Sequence, residues 1–276
     1  MIPMTSQEVG FRPVRSQYPD NSVRLLVSHT LLLAKRILTR WARDLVTVIE
    51  ALVFPILFLL VLKIVLGNLI YTVTHDNPLY SIVPLIALGA AITGSTFVAI
   101  DLMRERSSGL LSRLWVLPVH RVSGMLSRLL ADAVRILFTS VVMLSVGIIL
   151  GFRFRQGVIA SLTWLSVPLI LGIAFAVTVT TVALYAAEVL VVEAVELVQA
   201  LAIFFSTGLL PLDQYPHWIQ PVVAHQPVSY AVAAMRGLSA GGPVLSPMIA
   251  TLLWAAGICA ACVVPMAIGY RRASTH

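Results

Sequence analysis

Runs of apolar residues alternate along this chain with short polar, basic segments, and that alternation predicts helices that cross a membrane. A helical span needs about 20 predominantly apolar residues. Six stretches qualify: Val46 to Leu66, Tyr80 to Ile100, Ala133 to Leu150, Trp164 to Ala187, Val192 to Leu210 and Pro247 to Tyr270. Only a short acidic stretch separates the fourth from the fifth. Ahead of the first span, residues 22–43 carry a different period. Val23, Leu26, Val27, Thr30, Leu31, Ala34, Leu38 and Trp41 recur at intervals of three and four, while Arg24, Ser28, Lys35, Arg36, Thr39 and Arg43 lie largely off that stripe. A basic amphipathic helix of this kind is suited to lie flat on a membrane face; the plainer alternative is a basic flank that orients the first span. Residues 1–21 are polar and read as a disordered tail without a cleavable signal. That leaves 22–276 as a single all-α integral membrane domain.

Composition agrees with the pattern. With 59% hydrophobic and 11% charged residues and a mean hydropathy of +0.94, the chain is not a soluble globular domain. All but four of its 19 Lys and Arg residues fall in the N-terminal segment, the loop after the second span or the C-terminal tail. Basic loops stay cytoplasmic, so both termini are expected inside a plasma membrane that the chain crosses repeatedly. The exceptions are Lys63, Arg153, Arg155 and Arg236, of which Lys63 can snorkel from the end of its helix. The net charge of +7 follows from this sorting and from contact with anionic lipid, and implies no nucleic-acid partner.

The loop after the second span is more charged and longer than a connector needs. In it, Ser107 or Ser108 can cap a short helix, Leu110, Leu111, Leu114 and Leu117 form an apolar stripe, and Pro118 discourages continuation. Arg104, Glu105, Arg106 and Arg113 would place charged contacts around a docking face. On residues alone, a solvated interfacial helix fits equally well.

Candidate chemistry is sparse. No G-x-x-x-x-G-K-[ST] phosphate loop occurs, so any ATP must be bound by another chain, and no catalytic residue is expected here. Cys259 and Cys262 form a C-x-x-C inside an apolar span without nearby His, and His217 and His225 lack supporting ligands, so neither a metal nor a cofactor is expected in this chain. Glu188, Glu193 and Glu196 cluster at the turn between the fourth and fifth spans, where solvated ends or a salt bridge to the basic loop are expected and a proton relay is the sharper alternative. Glu50 is expected to pair with Arg43 or with an Arg of the charged loop. Gly89, Gly94, Gly147, Gly151 and Gly172 permit close helix approach. Between Pro211 and Gly242, too long a stretch for a tight turn, short re-entrant or interfacial helices are expected on the outer side, with Tyr215, Trp218 and Tyr230 as an aromatic belt or a gate.

The pattern R-E-R-x-x-G-L-L-x-R-L-x-x-x-P from Arg104 to Pro118 resembles the signature of ABC-2 type export permeases. Phe205-Ser206-Thr207-Gly208-Leu209-Leu210-Pro211, Tyr215-Pro216-His217-Trp218 and Gln226-Pro227-Val228-Ser229-Tyr230 are similar to the family's run between spans five and six. The likeness covers nearly the whole chain and is nearest to the mycobacterial daunorubicin-resistance branch. It implies six spans, a cytoplasmic coupling helix that docks on a separate ABC ATPase, and outer re-entrant helices between spans five and six. The coupling residues would be Arg104, Glu105, Arg106, Gly109, Leu110, Leu111, Arg113, Leu114 and Pro118, and the outer gate Ser206, Gly208, Pro211, Tyr215, Pro216, Trp218, Pro227 and Tyr230. It further implies ATP and Mg in the partner ATPase, in two copies, pairing with a second homologous permease or with itself, and export of phthiocerol dimycocerosate-type lipid or daunorubicin-like drugs. The alternative is an ion-gradient-driven secondary transporter of hydrophobic compounds, which should show internal symmetry and midplane ionisable groups.

Overall fold

The computed structural model describes residues 23–107, 123–186 and 189–275, which form nine α-helices, a 3-10 turn and, among those residues, no strand. The helices are α1 (Val23–Arg43), α2 (Leu45–Thr74), α3 (Leu79–Ser107), α4 (Ser123–Ile149), α5 (Gly157–Tyr185), α6 (Val189–Phe204), α7 (Gln220–His225), α8 (Pro227–Ala240) and α9 (Leu245–Thr275). Five of them, α2, α3, α4, α5 and α9, are long and apolar enough to cross a bilayer.

Burial orders them into a centre and a rim. In the apolar window of α3, 78% of residues are buried, against 17% in α2 and in α9, so α3 is the central post and the other two stand outside it. It packs on α2, α4, α5, α6 and α8 through Ile82, Val83, Leu85, Leu88 and Ile92. Apolar burial between helices gains little over contact with lipid tails, so close approach by small residues carries more of the packing. At Gly172 of α5, an added Cβ would lie 2.9 Å from Ile136 Cδ1 and 3.2 Å from the Ala91 Cβ, which places the three-way crossing of α3, α4 and α5 at that glycine. The exposed apolar residues of α2, including Phe54, Leu57, Val61 and Ile64, are suited to acyl chains.

Several elements depart from the sequence reading in length. Helix α4 begins at Ser123 rather than Ala133, because Ser123, Ser127, Arg128, Asp132 and Arg135 lie on a face buried inside the bundle, where a hydropathy criterion does not expect a helix to run. Helix α3 runs on to Ser107. The expected fifth span, Val192 to Leu210, is a helix only to Phe204, 16 residues in all, after which the chain turns. Helix α1 has the expected bounds, and its Thr30 and Ala34 face is buried along α4, leaving Val27 and Leu31 exposed. Trp41 meets Phe138 of α4 edge-on at 5.9 Å. Asp44 then separates α1 from α2 and caps the latter, accepting from the Thr47 hydroxyl at 2.7 Å and from its N–H at 3.4 Å.

The four basic residues outside the charge rule each have a partner. Lys63 donates to the Leu150 carbonyl at 3.1 Å and Arg153 to that of Ile148 at 3.2 Å, both at the C-terminal end of α4, where exposed carbonyls favour cations. Arg155 lies 5.1 Å above the ring of Tyr80, whose hydroxyl donates to the Arg153 carbonyl. Arg236 is bound inside the bundle, as described below.

Candidate functional site

Three places gather the candidate residues. At the first, Arg104, Glu105 and Arg106 end α3, which continues past its apolar window of Leu79–Thr96 without interruption. Ser107 is the last described residue of α3. Ser108, Gly109, Leu110, Leu111, Arg113, Leu114, Leu117 and Pro118, together with Glu188, lie outside the described residues.

The second place is the break after α6. Here a helix ends inside the bundle, and its last carbonyls need donors that lipid would not supply. Tyr215 donates its hydroxyl to the carbonyls of Phe204 (3.3 Å) and Ser206 (3.0 Å). Gln226 donates its amide to the Phe205 carbonyl and, at 3.2 Å, to the Ser229 hydroxyl. Arg236 donates to the Thr207 carbonyl at 3.1 Å and to Ser81 Oγ of α3 at 2.7 Å. Four successive carbonyls are therefore satisfied by three side chains that arrive from later in the sequence.

Packing explains the rest of that motif. Gly208 is pressed between α3 and α8, where a Cβ would lie 2.9 Å from Leu85 Cδ1 and 3.1 Å from Val232 Cγ2. Pro211 precedes the 3-10 turn Leu212–Gln214, the Pro216 carbonyl accepts from the N–H of Ile219 at 3.0 Å, and Pro227 opens α8 at a position where its missing N–H costs nothing. Tyr230 meets His225 edge-on at 6.3 Å, and the His225 carbonyl accepts from the Trp254 indole at 3.0 Å. Trp218, in contrast, stands 79% exposed. Helix α8 is no surface helix: Val228, Ala231, Val232, Ala234 and Met235 are fully buried.

The third place was only half visible in the sequence. A partly enclosed cavity of about 370 Å³ lies among α1, α2, α3, α4 and α6, lined by Trp41, Glu50, Phe54, Ala90, Thr93, Gly94, Arg135, Thr139 and Glu196 among others. Its floor is polar and buried. Arg135, 6% exposed, donates to Asp132 Oδ1 at 2.7 Å, a pair one turn apart on α4. Glu50 and Phe54 are exposed and Glu196 half-buried. Among the described residues neither glutamate has an ion-pair partner, Arg43 included. Sequence reasoning had counted Arg128 and Arg135 merely as loop charges; the spacing of Arg128, Asp132 and Arg135, one helical face over two turns, was the signal that they belong to a buried stripe.

A bundle of long apolar helices, beside a shorter one that ends inside the protein and is sealed by polar side chains, is the architecture of a multi-pass membrane protein. The ABC-2 type transporter family matches residues 28–239, and the chain belongs to that family. It is 71% identical over 276 residues, the full length of both chains, to the "Probable doxorubicin resistance ABC transporter permease protein DrrC" of Mycobacterium tuberculosis. It is 22% identical over 238 residues, 86% of this chain and 81% of the other, to the "Daunorubicin resistance ABC transporter permease protein DrrB1" of Streptomyces coeruleorubidus. These matches bear out the resemblance read from the two motifs.

Proposed function

We propose that this chain is the permease subunit of an ATP-driven exporter that moves a lipid or bulky amphiphile out of the cytoplasm or inner leaflet, with both termini cytoplasmic. Its substrates are phthiocerol dimycocerosate-type lipids or daunorubicin-like drugs; the names of its relatives, doxorubicin and daunorubicin resistance permeases, support the drug part of that reading. Two copies of an ABC ATPase supply the energy, and a second permease, homologous or identical, completes the path.

The observation that carries this reading is the unbroken course of α3 from Thr96 to Ser107. At 1.5 Å per residue it extends about 16 Å beyond the apolar window. A rigid helix from the centre of the bundle ends in Arg104-Glu105-Arg106, so displacement of the charged segment by an ATPase would be delivered to the central post itself. The break after α6, held by Tyr215, Gln226 and Arg236, is the outer gate.

The test is co-purification with the ABC ATPase encoded beside it. Glu105→Ala and Arg106→Glu, by loss of a charge-assisted contact, and Gly109→Trp, by the bulk it adds to the docking face, should each weaken the complex or lower transport-coupled ATP hydrolysis by about tenfold. Intact assembly and undiminished hydrolysis in all three would overturn the coupling assignment. Glu50 and Glu196 in the cavity favour the gradient-driven alternative; substrate movement driven by a proton gradient without ATP would select it.

A further inference from the structure

We infer that the basic end of α1 and the groove between α1 and α4 form one binding site for an anionic phospholipid, the cations taking its phosphate and the groove one of its acyl chains. The inference goes beyond the export reading and does not rest on it.

Charge on this face is local and unbalanced. An open cavity of about 660 Å³ on α1 is lined by Lys35, Arg36, Arg40 and Arg43, and Asp44 is the one carboxylate among its lining residues. Arg36, Arg40 and Arg43 follow one another at intervals of four and three, so three guanidinium groups share one helix face. Among the described residues Lys35, Arg36 and Arg43 have no ion-pair partner. Asp44 is committed elsewhere, since it accepts from the hydroxyl and the N–H of Thr47 in capping α2. Like charges held this close repel one another. A phosphate relieves that repulsion, and its oxygens match the paired N–H donors of a guanidinium.

The neighbouring groove turns a charged patch into a lipid site. It shares Lys35, Thr39 and Arg43 with the basic cavity, measures about 580 Å³, and runs between Leu31, Leu38 and Ala42 of α1 and Leu130 and Val134 of α4. A headgroup in the first cavity therefore leaves its chain at the entrance of the second. Phe138 and Val141 follow Val134 along α4 at intervals of four and three, and both are exposed, which extends the apolar surface about 10 Å beyond the groove. An acidic protein surface would satisfy the cations and leave the groove and the exposed Leu31 uncovered. A phospholipid covers both.

The experiment uses the full-length protein in dodecyl maltoside micelles, titrated with dioleoyl phosphatidylglycerol or dioleoyl phosphatidylcholine, with bound lipid counted by native mass spectrometry. Phosphatidylglycerol should occupy one site per chain at least about tenfold more tightly than phosphatidylcholine, whose own ammonium cancels its phosphate. Arg36→Gln and Arg43→Gln should each lower that affinity about fivefold, the usual worth of one cation at an anionic surface. Arg24→Gln, which removes an exposed cation of α1 outside the cavity, should leave it unchanged. Val134→Trp fills the groove without touching a charge and should lower it about fivefold as well. Glycerol 3-phosphate, which has the charge and no chain, should not compete at the same concentration. The comparison of the two lipids on the unsubstituted protein holds whatever the variants do to folding. Equal retention of both lipids, an equal loss in Arg24→Gln, or displacement by glycerol 3-phosphate would overturn the site. So would full phosphatidylglycerol affinity in the double Arg36→Gln, Arg43→Gln variant together with weakened binding of the ABC ATPase, a result that gives the patch to a protein partner.

Discussion

Each of Lys63, Arg153, Arg155 and Arg236 breaks the charge asymmetry of the chain for a local reason, and Arg236 shows the reason most clearly. Its guanidinium ties the Thr207 carbonyl to Ser81, joining the break after α6 to the central helix. Both bonds leave the single nitrogen Nη2, so Arg236→Met removes the donor of both acceptors at once and should destabilise the protein by about 1–3 kcal/mol, read as a lower midpoint in thermal unfolding in detergent. Tyr215→Phe removes one hydroxyl from two carbonyls and should cost about 1 kcal/mol by the same measurement. Asp44 gives a pH-dependent case. The Thr47 hydroxyl, then its N–H, hold the Asp44 carboxyl below its usual value of 3.8. A depressed carboxylate stabilises the folded chain above that value and loses its contribution as pH falls through the lowered one. Asp44→Ala should therefore lower the unfolding midpoint at pH 7, by a margin that shrinks as pH falls through the lowered value.

At the scale of elements, apolar runs fixed which helices form, and polar faces hidden in the bundle decided where they stop. The first two spans and the last were legible because their apolar residues surround the helix. The early start of α4 was not, since Arg128, Asp132 and Arg135 read as loop charges until a neighbouring face buries them. The end of α6 at Phe204 was also hidden: Leu209 and Leu210 continue the apolar run, but Tyr215, Gln226 and Arg236, far along the sequence, make a turn cheaper than another helical turn. Sequence motifs did mark the break itself, through Ser206, Gly208 and Pro211. The crossing at Gly172 is where a single element can be tested. Gly172→Leu drives a side chain into Ile136 and Ala91 and should cost about 1–3 kcal/mol, while Gly257→Leu on α9, with open space at its Cβ position, should be nearly neutral in the same assay.

For the whole molecule, the question is how so small a bundle would enclose the proposed route for a bulky amphiphile. The cavity of about 370 Å³ holds at most one end of such a molecule, and Phe54, exposed on α2, lines it. A second permease subunit on that face would turn an open cleft into an enclosed path, whereas one seated on α9 would leave the cavity facing lipid. Phe54 of α2 lines the cavity, Val198 and Leu201 mark the exposed face of α6, and Leu253 marks α9. With the free thiols of Cys259 and Cys262 replaced by Ser, single cysteines at these positions distinguish the two arrangements. Oxidation in membranes should trap dimers through Val198→Cys or Leu201→Cys and none through Leu253→Cys; the reverse pattern would put the path elsewhere and leave the Glu50–Glu196 cavity open to the bilayer.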